Sequence, residues 1–172
     1  MTDFLLETPR LLFRPHQPGD LEPYCAMEMD PEVRRYVGGY ARTREAAEAK
    51  FRNALNAAPS RLSLWATVLK SEAAAIGRCG LYPHIHNHRT VPNEAVLAFY
   101  LARPFWGQGL ATEAGATFIS FGFDQLQLSR IVATVEAGND ASVRIMNKLG
   151  FTLTRTEPGQ RTFHHFELLR PA

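Results

Sequence analysis

The stretch from Asn93 to Ala111 restricts the possible folds of this chain more than any other. Asn93–Leu101 (NEAVLAFYL) is dense in apolar residues and reads as a central strand. Pro104-Phe105-Trp106-Gly107-Gln108-Gly109 interrupts it, and a helix begins near Ala111 with Ala114, Phe118 and Phe121 as its buried stripe. A helix N-terminus presents unpaired N–H groups and a partial positive charge. Glycines just before it let the phosphates of a ligand come close. Trp106–Ala111 is therefore either a cradle for a diphosphate or a tight strand-to-helix turn whose glycines serve geometry alone.

Two familiar phosphate binders do not fit. No Gly-x-x-x-x-Gly-Lys-Ser/Thr occurs, so the lysine and metal-holding hydroxyl of a P-loop are missing. A dinucleotide fold needs Gly-x-Gly-x-x-Gly early in the chain; here Thr112 stands at the third glycine, and the loop follows three consecutive strands.

The flanking segments complete the pattern. Leu6–Arg14 reads as a first strand. Helices follow with expected caps at Asp20, Asp30 (Pro31 next to it) and Thr43, the third ended by Pro59. Leu62–Leu69 and Ala74–Ile85 read as a hairpin, Arg130–Glu136 as a strand, and Asn139–Leu149 as a short helix. Phe151–Thr156 and Thr162–Leu169 close the chain as strands across Pro158-Gly159. With the Asp20 and Asp30 helices counted as one helical region, the order is βααβββαβαββ in a single domain spanning all 172 residues. Strands and helices share one core, with a mainly antiparallel front and a βαβ unit behind.

Composition narrows the function. Net charge is only +2, too small and too dispersed for a general nucleic-acid binder. The uncharged Ala114–Phe123 stretch falls far short of the roughly 20 apolar residues of a membrane span. Met1–Thr8 carries acids where an export signal needs a basic start, which points to the cytoplasm. Cys25 and Cys79 are too few for a disulfide framework and read as free thiols, Cys79 as a small buried filler.

At this point the chain resembles the GNAT superfamily of acetyl-CoA-dependent N-acetyltransferases, and within it the branch of ribosomal-protein N-terminal acetyltransferases. Four pieces carry the resemblance in order: Thr8–Pro15, Asp30–Gly39, Phe105–Ala114, and Asn139–Arg144 with Lys148–Phe151. The resemblance implies a mixed α/β fold: a twisted, mostly antiparallel seven-stranded sheet with flanking helices and a V-shaped gap between its fourth and fifth strands. It implies acetyl-CoA in that gap. The pantetheine arm would lie along Phe99, Tyr100 and Leu101, and the diphosphate on the backbone of Trp106, Gly107, Gln108, Gly109, Leu110 and Ala111. Asn139 would reach the arm, and Ser142 would lie near the sulfur as a proton donor. From the residues alone, Asn139 reads as a helix N-cap and Ser142 as an ordinary first-turn hydroxyl. The family is rich in dimers, which makes a homodimer conceivable.

The implied reaction is direct attack of an amine on the thioester. An acceptor ammonium must first lose a proton. Many relatives carry a Glu at the position of Val96, where valine cannot serve. Glu94 shares the strand face of Val96, and Glu136 ends the next strand, so these carboxylates are the candidate bases; each is otherwise a solvated strand-end acid. A water chain with no dedicated base is a further alternative. The oxyanion donor would be a backbone N–H near Tyr100–Leu101. His84-Ile85-His86-Asn87-His88 would align its imidazoles on one face if extended, but reads as a hairpin loop, and no metal is expected. Only one of His164 and His165 can face a groove. The acceptor is an amine, on a protein N-terminus or a small molecule, chosen by the Gly38–Thr43 connection, the His84–Asn93 loop and the Glu157–Arg161 turn. A non-catalytic acyl-CoA sensor or an interaction module on the same scaffold is the alternative.

Overall fold

The structure is a computed structural model, and residues 5–58 and 60–171 are described. Eight strands form one sheet: β1 (Leu6–Glu7), β2 (Leu11–Arg14), β3 (Leu64–Leu69), β4 (Ala74–His86), β5 (Arg89–Leu101), β6 (Arg130–Glu136), β7 (Thr152–Glu157) and β8 (Phe163–Leu169). Their spatial order is β1-β2-β3-β4-β5-β6-β8-β7, antiparallel throughout except for β5 against β6. The helices are α1 (Leu21–Met29), α2 (Pro31–Arg34), α3 (Arg44–Asn56), α4 (Leu110–Ser120) and α5 (Asp140–Lys148). No helix among the described residues is long and apolar enough to cross a membrane.

The eighth strand arises from the expected first one. Leu6–Arg14 is not continuous: it turns at Thr8–Arg10, and β1 folds back on β2 with Leu6 opposite Phe13. Pro9 lacks an N–H, and Thr8 Oγ1 accepts from the Leu11 N–H at 2.8 Å, so the chain turns instead of extending. Helix starts follow the sequence at Asp30, whose carboxylate accepts from Glu32 N–H at 2.8 Å, and at Thr43, which accepts from Ala46 N–H. Asp20 departs from expectation. Its carboxylate accepts from the Gln17 N–H and pairs with Arg14, closing the turn before α1 instead of capping the helix. Pro59, the expected end of α3, lies outside the described residues; the helix stops at Asn56.

The two faces of the sheet carry different cargo. On one, Cys79, Leu81, Ala95, Leu97 and Leu101 of β4 and β5 join Leu110, Ala114 and Phe118 of α4 in the main core. Phe13 meets Phe118 edge-on at 4.9 Å between ring centroids. Burial pushes the Cys79 thiol up, as befits an inert filler in this layer. On the other face, α1 lies against β4 and brings Tyr24 and Glu28 to Arg78. Strand alternation therefore places Tyr82, Val96 and Tyr100 on this second face with Arg78.

The V-shaped gap follows from the register. β5 and β6 pair over three rungs only, Glu94 with Arg130, Ala95 with Ile131, and Val96 with Val132. Beyond Val96 the strands diverge. β5 continues to Leu101 beside β4, while Ala133–Glu136 continue beside β8.

Candidate active site

The gap has two backbone walls. The Ala102 N–H bonds to the Ile76 carbonyl at 2.8 Å, so even-numbered backbone groups at this end of β5 face β4. Odd-numbered groups face the gap. The Leu101 carbonyl there accepts from the Trp106 indole N–H at 2.7 Å, leaving both backbone groups of Phe99 and the N–H of Leu101 toward the opening. Tyr100 is placed differently from its neighbours: its backbone pairs with β4, and its ring lies 4.8 Å from the Arg78 guanidinium on the second face.

The glycine loop sits at the mouth of this gap. Gly107 (φ +74°) and Gly109 (φ +77°) both adopt the left-handed conformation, which side chains resist. A Cβ at Gly107 would meet nothing within 4 Å, so that side of the loop is open. No side chain caps α4. Among the described residues, the N–H groups of Gly107, Gln108, Gly109, Leu110 and Ala111 find no acceptor. Unpaired donors at a helix start with room beside them are the chemistry a diphosphate requires. The residues present therefore fit the coenzyme that the sequence implies.

On the far wall, Asn139 Oδ1 accepts from the Ser142 N–H at 3.2 Å, which makes it the N-cap of α5. This uses the oxygen of the amide and leaves its NH₂ group for a ligand. Ser142 is half-buried in the first turn, and its hydroxyl makes no hydrogen bond among the described residues.

The two carboxylates stand at opposite ends of the gap. Continuing the β5–β6 register puts Glu136 level with Tyr100, across the widened part. Arg161 grips it, donating through Nε at 2.8 Å and also through Nη2. Glu94 occupies the first paired rung, at the closed end, where it accepts from Arg130 Nη2 at 2.8 Å and lies 2.7 Å from His84 Nδ1. Burial opposes its charge, yet Arg130 and His84 hold its carboxyl below the usual range. Arg130 also reaches Glu167 at 3.0 Å, so one polar chain crosses β4, β5, β6 and β8.

The histidine run is rearranged relative to expectation. His84 and His86 belong to β4, and only Asn87 and His88 turn, both at positive φ. The register slips between Pro83 and Ile85, and this bulge breaks the alternation that would align the imidazoles. Among the described residues no group of His, Cys, Asp or Glu is arranged to hold a metal ion. His165 faces Thr134 and Glu157, while His164 bonds Thr156 across β7.

Two of the three segments expected to select the acceptor meet. Arg161 Nη1 lies 3.2 Å from where a Cβ of Gly39 would stand, and Tyr36 Oη donates to the Gly138 carbonyl at 2.8 Å. The segment after α2 thus bridges the wide end of the gap. The His84–Asn93 hairpin lies beyond the paired rungs, at the other end of β5.

Sequence reasoning missed the charged cluster beneath Tyr100. Glu28 is 1% exposed and contacts Arg34 (3.4 Å), Arg42 (2.7 Å), Lys50 (3.6 Å) and Arg78. Burial, together with the neighbouring Arg78, pushes Lys50 down to about 8. Glu28 falls on the same helix face as Tyr24, which was the available signal. It also missed Arg10 and Glu113, whose pairing spans 103 residues.

An open sheet that splays after a parallel pairing, with a glycine loop and bare helix start at the mouth, defines an acyltransferase fold. Residues 10–152 match the acetyltransferase (GNAT) domain family, and the chain belongs to it. It is 31% identical over 127 residues to the uncharacterized protein YkkB of Bacillus subtilis, covering 74% of this chain and 72% of that one. It is 30% identical over 151 residues to the uncharacterized N-acetyltransferase p20 of Bacillus licheniformis, covering 85% and 81%. The crystal structure of a GNAT-family acetyltransferase from Bacillus anthracis superimposes with a TM-score of 0.83 at 20% identity, over 97% of this chain and 99% of that one. The protein is an acyltransferase of the GNAT class.

Proposed function

We propose that the protein transfers an acetyl group from acetyl-CoA to a primary amine. The observation that carries this reading is the row of unpaired N–H groups from Gly107 to Ala111, opening into the gap between β5 and β6. In this reading acetyl-CoA is a substrate. Its diphosphate would sit on those N–H groups, and its arm would take the free backbone groups of Phe99 and Leu101 and the Asn139 amide.

The amine nitrogen attacks the thioester carbonyl carbon, the new C–N bond forms, and the C–S bond breaks. The Leu101 N–H is the donor proposed for the developing oxyanion. Of the two carboxylates, Glu136 is the proton acceptor we favour, because it stands across the open part of the gap while Glu94 lies at the closed rungs. Ser142 is proposed to protonate the departing thiolate. Holding amine and thioester together supplies much of the rate, about 7–11 kcal/mol in favourable cases. The acceptor is a protein N-terminus or a small-molecule amine. The motifs at Thr8–Pro15 and Phe105–Ala114 support the ribosomal-protein branch and hence a protein N-terminus.

Isothermal titration with acetyl-CoA, followed by thiol release against a library of N-terminal peptides and small amines, tests this. Binding and amine-dependent thiol release are expected. Binding without release from any amine would leave an acyl-CoA sensor, and no binding would leave a scaffold.

A further inference from the structure

Arg10 lies in the turn between β1 and β2, far in sequence from the glycine loop, yet its guanidinium rests against that loop. Arg10 Nη1 donates to the Gln108 carbonyl at 3.0 Å. Its Nε donates to Glu113 Oε2 at 2.6 Å, and its Nη2 is 3.7 Å from the site of a Cβ on Gly109. Glu113, in the first turn of α4, also accepts from Thr8 Oγ1 and from the Arg10 backbone N–H at 3.3 Å. The Arg10 side chain is about half exposed (47%) and that of Glu113 is largely covered (19%).

The consequence follows from peptide geometry. In a planar trans peptide, C=O and N–H point in opposite directions. Gln108 and Gly109 share one peptide, so drawing the Gln108 carbonyl toward Arg10 turns the Gly109 N–H away from Arg10. That N–H is among the donors without a protein acceptor. With glycine at position 109, whose φ turns with this peptide, the unit would otherwise reorient at small cost. A flipped Gln108 carbonyl would meet an anion with a negative end.

We propose that Arg10 is a positioning residue for the donor site: it fixes the Gln108–Gly109 peptide so that the loop presents N–H groups to the diphosphate. Glu113 and Thr8 hold the guanidinium in place. This deepens the acetyl-CoA reading and rests on it. The reacting centre, along Leu101, Glu136 and Ser142, is untouched by Arg10, so its loss acts on donor binding and not on the chemical step.

The test compares wild type, Arg10→Met and Arg10→Met/Glu113→Gln. Each is titrated with CoA, assayed for kcat and for KM toward acetyl-CoA, and melted to record Tm. Both variants are expected to bind CoA about tenfold more weakly or worse, with KM raised in step and kcat within about twofold of wild type. Recovery of wild-type affinity in the double variant would show that Arg10 only neutralises Glu113, and would overturn the proposal. So would unchanged affinity in Arg10→Met, or a fall in kcat with KM unchanged. Should Arg10→Met lose cooperative melting, Arg10→Lys is read for the same split, since a compact ammonium lacks the planar fork with which the guanidinium holds Gln108 and Glu113 at fixed angles. Wild type failing to bind CoA would sink the acetyl-CoA reading itself. Wild type binding while the variants bind equally well would sink only the role of Arg10.

Discussion

Arg161 and Glu136 form a two-pronged ion pair at the wide end of the gap, and Arg161 Nη2 also reaches the Arg35 carbonyl at 3.5 Å. One guanidinium thus joins the end of β6, the turn before β8 and the segment after α2. The carboxylate raises the proton affinity of Arg161, which keeps the guanidinium charged. Glu136→Gln is expected to lower kcat about a hundredfold, a common share for a proton-transfer group, with CoA affinity unchanged. Steady-state thiol release and calorimetry measure the two; an unaltered kcat would remove Glu136 from the chemistry.

Ser142→Ala removes a hydroxyl and leaves the backbone N–H that Asn139 caps. Turnover should fall about tenfold or more with CoA affinity nearly intact, since the proposed role of the lost group concerns only the departing sulfur. A wild-type kcat would exclude the hydroxyl from thiolate protonation.

Gly107→Val places a branched side chain at φ +74° on the open side of the loop. The strain should cost about 1–2 kcal/mol of folding stability. Affinity for CoA should fall by more than that cost accounts for, because the side chain enters the space beside the free N–H groups. Calorimetric affinity and urea unfolding read the comparison, and matching losses would make the loop a turn and nothing more.

Glu28→Gln leaves Arg34 and Arg78, 3% and 5% exposed, without their counter-charge. Removing one partner of such a buried set typically costs about 3–5 kcal/mol. Chemical denaturation at neutral pH gives the number directly, and a change under 1 kcal/mol would mean that solvent already screens the cluster.

His16 sets a limit on the acid side. Its side chain packs against Tyr24 and Phe51, and burial lowers its pKa from 6.5 to about 4. Between those values the unfolded chain takes up a proton that the folded chain refuses. Stability is therefore complete above about pH 6.5 and declines as pH falls toward 4. Denaturation curves at pH 7 and pH 5 should show this drop, and His16→Gln should flatten it. An equal drop in the variant would assign the acid loss to other groups.

What the sequence disclosed was local. Asp30 and Thr43 cap their helices because a carboxylate or hydroxyl next to a helix start can act only on nearby N–H groups. The glycine loop was legible because glycine adopts positive φ most readily, so two glycines so close together mark a left-handed turn. The break at Pro9 was not, because Leu6–Arg14 keeps an apolar pattern on both sides of the turn. The site partners were least visible. Arg10 with Glu113, Arg161 with Glu136, and His84 with Glu94 are joined only once strands align, and no spacing rule links residues 103, 25 and 10 positions apart.

The bridge from Tyr36 to Gly138 gives the splayed sheet a crossbar at its wide end, opposite the three rungs that fasten the narrow one. A wedge secured at both ends has an aperture of set size. On the acetyl-transfer proposal, the route expected for the amine lies over the half-buried sheet face at Val96 and Val132, not along the strands from the tip.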